Sequence, residues 1–174
     1  IFAAVTAEEK GLLGSRWLAA HPTAAAPTPI AVLNMDQSRP LYPLRILTTL
    51  GLDDSTLGQT VRDIAGPMGV QVRGDLEPER NLLRRTDHWP FMERGVPSVS
   101  FLFGFDASDA TAAAAYRDWY EHRYHAPQDD MSTPIDFQAQ ADFHRFYFAL
   151  VEAVANADER PEWTAGSPYR PGAR

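Results

Sequence analysis

Residues 1–15 read IFAAVTAEEKGLLGS. Ile1 to Ala7 is apolar with β-branched content, which predicts a buried strand. Lys10 to Ala20 sets Leu12, Leu13, Trp17 and Leu18 at helical spacing, and His21-Pro22 ends that pattern. Two adjacent carboxylates, Glu8 and Glu9, stand where the strand hands over to the helix. On residue chemistry alone they have two interpretations. Acids at a helix start interact well with its dipole and with water. Alternatively, one carboxylate holds a cation while its neighbour takes a proton from a water on that cation. The stretch has neither an initiator Met nor the layout of a signal peptide, so a piece of a longer polypeptide is expected.

Outward from this handover, strands and helices alternate. Pro29 to Asn34 predicts a second buried strand with Asp36 just past its end, after an Ala/Thr/Pro linker at Thr23 to Pro29. Leu44 to Leu50 is a third strand candidate. Ser55 is the expected N-cap of a helix carrying Leu57, Val61, Ile64 and Ala65 on one face, ended at Gly66 to Gly69. Val70 to Arg73 reads as a short strand, Glu77 to Trp89 as irregular, and Pro90 to Arg94 as one helical turn. Pro97 to Phe103 is a clear strand, and Thr111 to Tyr120 is helical. A loop dense in His, Asp and Pro precedes a long helix over Asp136 to Asn156, with Phe137, Phe143, Phe146, Leu150 and Val154 on its core face. The Pro- and Gly-rich end reads as a surface wrap or a disordered tail. The pattern predicts an α/β fold, a three-layer αβα sandwich with a mixed, mostly parallel sheet. Residues 1–157 read as one domain portion and 158–174 as an extended or disordered tail.

Bulk properties narrow the function. A chain of 174 residues with 44% hydrophobic content and four tryptophans can bury one substantial core. The net charge of −7 and a single lysine, Lys10, argue against nucleic-acid and anionic-membrane partners. No apolar run approaches the roughly 20 residues a membrane span requires. The absence of cysteine removes disulfides and thiolate metal sites.

The remaining candidates are carboxylates and histidines. Asp36, in LNMD, is either a turn aspartate or a carboxylate ligand at a strand end, with Asn34 bracing the turn. His125, in YHAPQDD, follows Tyr124 and precedes Asp129 by four residues. A metal-bound imidazole gives its second N–H to a carboxylate or carbonyl, a role open to Asp129 and less so to Asp130. A tyrosine beside such a ligand can donate to a developing oxyanion. Asp87 and His88, in RTDHWPF, either anchor a loop on the core or face the substrate. Serine-hydrolase elbows, H-E-x-x-H helices and phosphate loops are missing. Adjacent carboxylates cannot flank a sugar bond from both faces, which sets glycoside hydrolysis aside.

In this order, AEEKGLLGS, LNMD, RTDHWPFMERGVPSVSFLFG and YHAPQDD resemble the co-catalytic zinc aminopeptidase family of metallopeptidase clan MH, whose relatives include glutamate carboxypeptidase II and glutaminyl cyclase. The resemblance runs from about Ile1 to Asn156. It implies the phosphorylase/hydrolase-like sandwich, with this chain as the C-terminal portion and the first strands missing. It implies Glu8 as general base, Glu9 and His125 as ligands of one zinc, and Asp36 as a ligand of the other. It implies Tyr124 as oxyanion donor, Asp129 as the acid that orients the histidine's loop, and Asp87-His88 near the substrate pocket. It also implies a histidine in an H-x-D segment and a metal-bridging aspartate before the E-E pair, and neither stands in this chain. The expectation is therefore a zinc-dependent aminopeptidase acting on peptides, with two zinc ions in a longer parent. The 174 residues alone are expected to hold zinc weakly or not at all and to be inactive. A truncated sheet favours a homodimer over its exposed surface. A glutaminyl cyclase-like acyltransferase and a metal-free interaction domain are the alternatives. Family habit favours a periplasmic or secreted location.

Overall fold

The computed structural model describes residues 1–23 and 29–173. Four strands form one sheet: β1 (Val32–Asn34), β2 (Ile46–Leu50), β3 (Gln71–Arg73) and β4 (Ser98–Gly104). Their order is β1-β4-β2-β3. β1 runs parallel to β4, and β2 runs parallel to β3, while β2 and β4 are antiparallel. The fold is thus α/β with a mixed, mostly parallel open sheet and helices on both faces.

β4 is central and buried almost throughout, as its unbroken apolar run requires. Alternation along it separates two environments. Val99, Phe101 and Phe103 enter the main core with Leu47, Phe143, Phe146 and Leu150. Phe101 meets Phe146 edge-on, with ring centroids 5.4 Å apart. Helices α2 (Leu57–Ala65) and α5 (Phe137–Ala155) pack together over this face. Asp136 caps α5 by accepting from the Ala139 amide at 2.9 Å. The opposite parity of β4 carries Ser98, Ser100 and Leu102. There, α1 (Leu13–Ala20) pairs with α3 (Trp89–Met92) around a smaller cluster of Leu12, Trp89 and Met92. Helix α4 (Ala110–His122) is capped by Asp109, which accepts from the Thr111 and Ala112 amides.

Several expectations change. Residues 1–6 form no ladder with the described strands, and Ile1 and Phe2 are 91% and 93% exposed. β-Branched content supplies propensity, but a strand exists only through cross-strand hydrogen bonds. The Thr6 carbonyl is instead taken by the Gly14 amide at 2.9 Å. The predicted apolar stripe of α1 is mostly outward: Leu13 and Trp17 are exposed, and only Leu12, just before the helix, is buried. Trp17 covers the ring of His21 at 4.6 Å instead. Phe137, the first residue of α5, also points to solvent, because the face that meets α2 begins one turn later. Thr56, not Ser55, occupies the N-cap position of α2. Part of the Thr23–Pro29 linker lies outside the described residues.

Residues 162–171 lie back on the domain. Trp163 bridges to Ser55, and its Nε1 donates to the Gly95 carbonyl at 2.9 Å. Ser167 donates to Asp54, and Tyr169 packs edge-on against Trp89 at 5.4 Å. No helix among the described residues is long and apolar enough to cross a membrane.

Candidate metal centre

A cavity of about 330 Å³ collects side chains from several separate segments. Glu8 and Glu9 come from a 3₁₀ turn, Glu8–Lys10, just before α1. The Gly11 and Leu12 amides both donate to the Glu8 carbonyl, at 3.0 and 2.9 Å. Ala7 and Leu12 take left-handed φ angles of 58° and 60° around this turn. Such angles cost a residue bearing Cβ roughly 1–2 kcal/mol, so packing must hold them. Burial of Leu12 against Trp89 and Met92 provides that packing.

Asp36 stands two residues past β1, whose last residue, Asn34, donates to the Ser100 hydroxyl at 3.1 Å. The cavity floor beside it is the apolar pair Leu50 and Leu102. Tyr124 and His125 follow α4. The Arg123 and Tyr124 amides both donate to the Trp119 carbonyl at 2.9 Å, which closes the helix. The Tyr124 ring continues a stack from Tyr120 and lies 3.9 Å from the His125 ring, centroid to centroid. His125 also takes a positive φ, 56°.

Glu9 and His125 meet directly, with Oε1 and Nε2 2.7 Å apart. Asp36, Glu8 and Tyr124 line the same cavity. The carboxyl pKa values of Glu8 and Asp36 are both raised, first by desolvation. For Glu8 the neighbouring charges of Glu9, Asp36 and Asp87 follow, against Arg85; for Asp36, those of Asp87 and Glu9, against Arg39 and a backbone hydrogen bond from Gln37. Burial, ahead of any charge, raises the Tyr124 hydroxyl as well. Asp87 therefore belongs electrostatically to the acidic cluster, and its Oδ1 is buried without a hydrogen-bond partner.

His88 goes elsewhere. It is fully buried at the start of α3, with Nδ1 2.5 Å from the Thr86 hydroxyl. Burial lowers its pKa from 6.5 to about 3, so it is a neutral core imidazole. Asp129 accepts from the Thr133 hydroxyl at 3.0 Å and has no hydrogen bond to His125 among the described residues. It braces the 125–133 loop together with Asp130, which accepts from the Ser132 amide.

The cavity also holds residues that motif reading passed over. Arg39, Arg80, Arg84 and Arg85 line it together with the acids. The signal available was RNLLRR, residues 80–85, immediately before the Asp-His pair.

The donor set can be tested against a metal. Carboxylate oxygen and imidazole nitrogen are the donors zinc takes when thiolates are absent. Tetrahedral ligands about 2.1 Å from an ion stand roughly 3.4 Å apart, so the Glu9–His125 pair need open by only about 0.7 Å. A cluster of mutually repelling carboxylates is also an electrostatic setting that a cation relieves. Among the described residues, however, no group of three or more His, Cys, Asp or Glu is placed to hold one ion. The chemistry fits; these side chains form a partial set.

The family model for peptidase family M28 matches residues 1–151. The chain belongs to peptidase family M28. That membership makes it a metallopeptidase-family hydrolase and accords with the sandwich and with the order of its acidic and histidine motifs. M28 proteins generally bind zinc. No curated protein gives a significant match to this M28 chain.

Proposed function

We propose that the chain carries the catalytic base, the oxyanion donor and three zinc donors of an aminopeptidase. The observation that carries this is the Glu9–His125 contact at 2.7 Å beside a cavity lined by Glu8, Asp36 and Tyr124. Glu9 and His125 would hold one zinc and Asp36 the other. When bound, zinc supplies Lewis-acid polarisation and acidifies water. Glu8 accepts the proton of the attacking water on its carboxylate and returns it to the leaving amine. Tyr124 donates its hydroxyl hydrogen to the developing oxyanion, and its raised pKa keeps that hydrogen in place at neutral pH. Asp87 holds a third charge beside Glu8 and Asp36, favouring a cation between them.

Three donors shared between two ions make weak sites, so zinc titration by calorimetry on the 174 residues is expected to give low affinity. The mechanistic test is Glu8→Ala in a zinc-loaded, active form of the protein. Turnover of an aminoacyl amide is expected to fall by about two to four orders of magnitude, in line with loss of a general base, with zinc content unchanged. Wild-type kcat in that variant would remove Glu8 from the role.

A further inference from the structure

The cavity lining carries two kinds of charge, the carboxylates Glu8, Glu9 and Asp36 and several arginines. Arg80 is committed: it pairs with Glu77 at 2.9 Å and donates to the Tyr116 hydroxyl at 2.8 Å. Arg39, Arg84 and Arg85 are not, for none has a carboxylate within ion-pair distance among the described residues. Arg39 lies 5.6 and 5.4 Å from the ring centroids of Tyr116 and Trp119, and its Nε is buried without a partner. The Arg84 guanidinium lies 4.9 Å from the centre of the Trp89 ring. Stacking on rings fixes the plane of a guanidinium before any ligand arrives, which reduces the ordering cost of binding.

We propose that this arginine wall selects peptides carrying a carboxylate close to the scissile bond. The proposal rests on the peptidase function above and names its substrate class. Guanidinium groups that line a concave, partly apolar cavity without a salt bridge match a planar carboxylate, which accepts two parallel N–H bonds from one fork. The acids of the same cavity do not fill that role. Glu9 is paired with His125 at 2.7 Å, and no acid of the cavity stands within ion-pair distance of Arg39, Arg84 or Arg85 among the described residues. The carboxylate has two possible sources, an acidic side chain or the free C-terminus of a short peptide. Lysine and arginine substrates are disfavoured by the same wall.

The test uses matched pairs of ligands on the full chain. Glutamyl amide against glutaminyl amide isolates a side-chain carboxylate. Alanyl-leucine against alanyl-leucine amide isolates a main-chain carboxylate. Binding is measured by calorimetry on chelator-treated protein, and hydrolysis is measured separately with zinc added. At least one carboxylate member is expected to bind about tenfold or more tightly than its amide partner, the worth of a charge-assisted hydrogen bond. The advantage is expected to vanish in Arg85→Gln, which removes no hydrogen bond, and to shrink in Arg84→Lys, which keeps the charge but loses the planar fork. Which pair responds identifies the source. Equal binding within both pairs overturns the proposal, even if all four ligands are hydrolysed and the peptidase function stands. Selective binding lost in Arg85→Gln, without hydrolysis of any ligand even by the zinc-loaded longer parent, supports the wall and counts against the peptidase function. Selectivity that survives both substitutions overturns the assignment to these arginines.

Discussion

Lowering the pH from 7.5 to 5 should strip about 2 kcal/mol of stability from this domain through one side chain. His88 is fully buried, and burial holds its pKa near 3 against 6.5 in a solvated chain. The folded pKa is the lower one, so the unfolded chain binds a proton that the native state refuses. The contribution is therefore complete above pH 6.5 and is lost progressively as pH falls toward 3. At 1.36 kcal/mol per pH unit the whole span is about 5 kcal/mol, and the part lost by pH 5 is about 2 kcal/mol. Carboxyls with raised pKa values, Glu8, Asp36 and Asp54, act in the opposite direction, so the wild-type profile alone does not isolate the imidazole. His88→Asn does. Asparagine can still reach the Thr86 hydroxyl but does not titrate. Denaturant unfolding, followed by tryptophan fluorescence at pH 7.5, 6.5, 5.5 and 5, gives the stability of both proteins. The variant is less stable at pH 7.5 because it leaves a cavity. The gap should then narrow by about 2 kcal/mol by pH 5. A gap constant to within about 0.5 kcal/mol would refute the buried neutral imidazole.

Three further outcomes are expected. Glu9→Ala and His125→Ala should each lower zinc content by elemental analysis of the zinc-loaded, active protein, and unchanged stoichiometry would count against the donor pair. Gly58→Ala places a Cβ 1.7 Å from the Leu52 carbonyl oxygen, so helix α2 must shift, and thermal unfolding should show a loss of about 3 kcal/mol or more. Trp163→Ala removes the hydrogen bond to Gly95 and packing on the Leu12–Trp89–Met92 cluster, which should cost about 2–3 kcal/mol in denaturant unfolding.

Much of the fold was legible because its strongest signals are local. The run over 97–103 became β4, one residue displaced, and Asp136 began α5 as its capping chemistry predicts. Glu8, Glu9, Asp36 and Tyr124 proved to line one cavity, with His125 bonded to Glu9, because turns and strand ends are where such folds gather polar side chains. What failed was non-local. Ile1 to Ala7 has strand composition but no described partner strand, and composition carries no information about partners. Leu13, Trp17 and Phe137 have core chemistry at the right spacing, yet their helices turn those faces outward. The arginines of the cavity showed only as the run RNLLRR, because Arg39 and the 3₁₀ turn carrying Arg84 and Arg85 are far apart in the chain. His88 was undecided between core and pocket, since burial of a polar residue depends on what tertiary structure stacks around it.

The position of β4 sets the order of assembly. It lies between β1 and β2 in space but follows all three other strands in the chain. While the polypeptide emerges from the ribosome, β2 and β3 can pair with each other, but among the described strands nothing joins β1 to them until Gly104 is out. The Ile46–Leu50 segment, wholly buried in the finished domain, spends that interval with one edge unsatisfied. Nascent chains stalled before residue 98 should therefore be bound by holdase chaperones, and those released after the end of α5 should not.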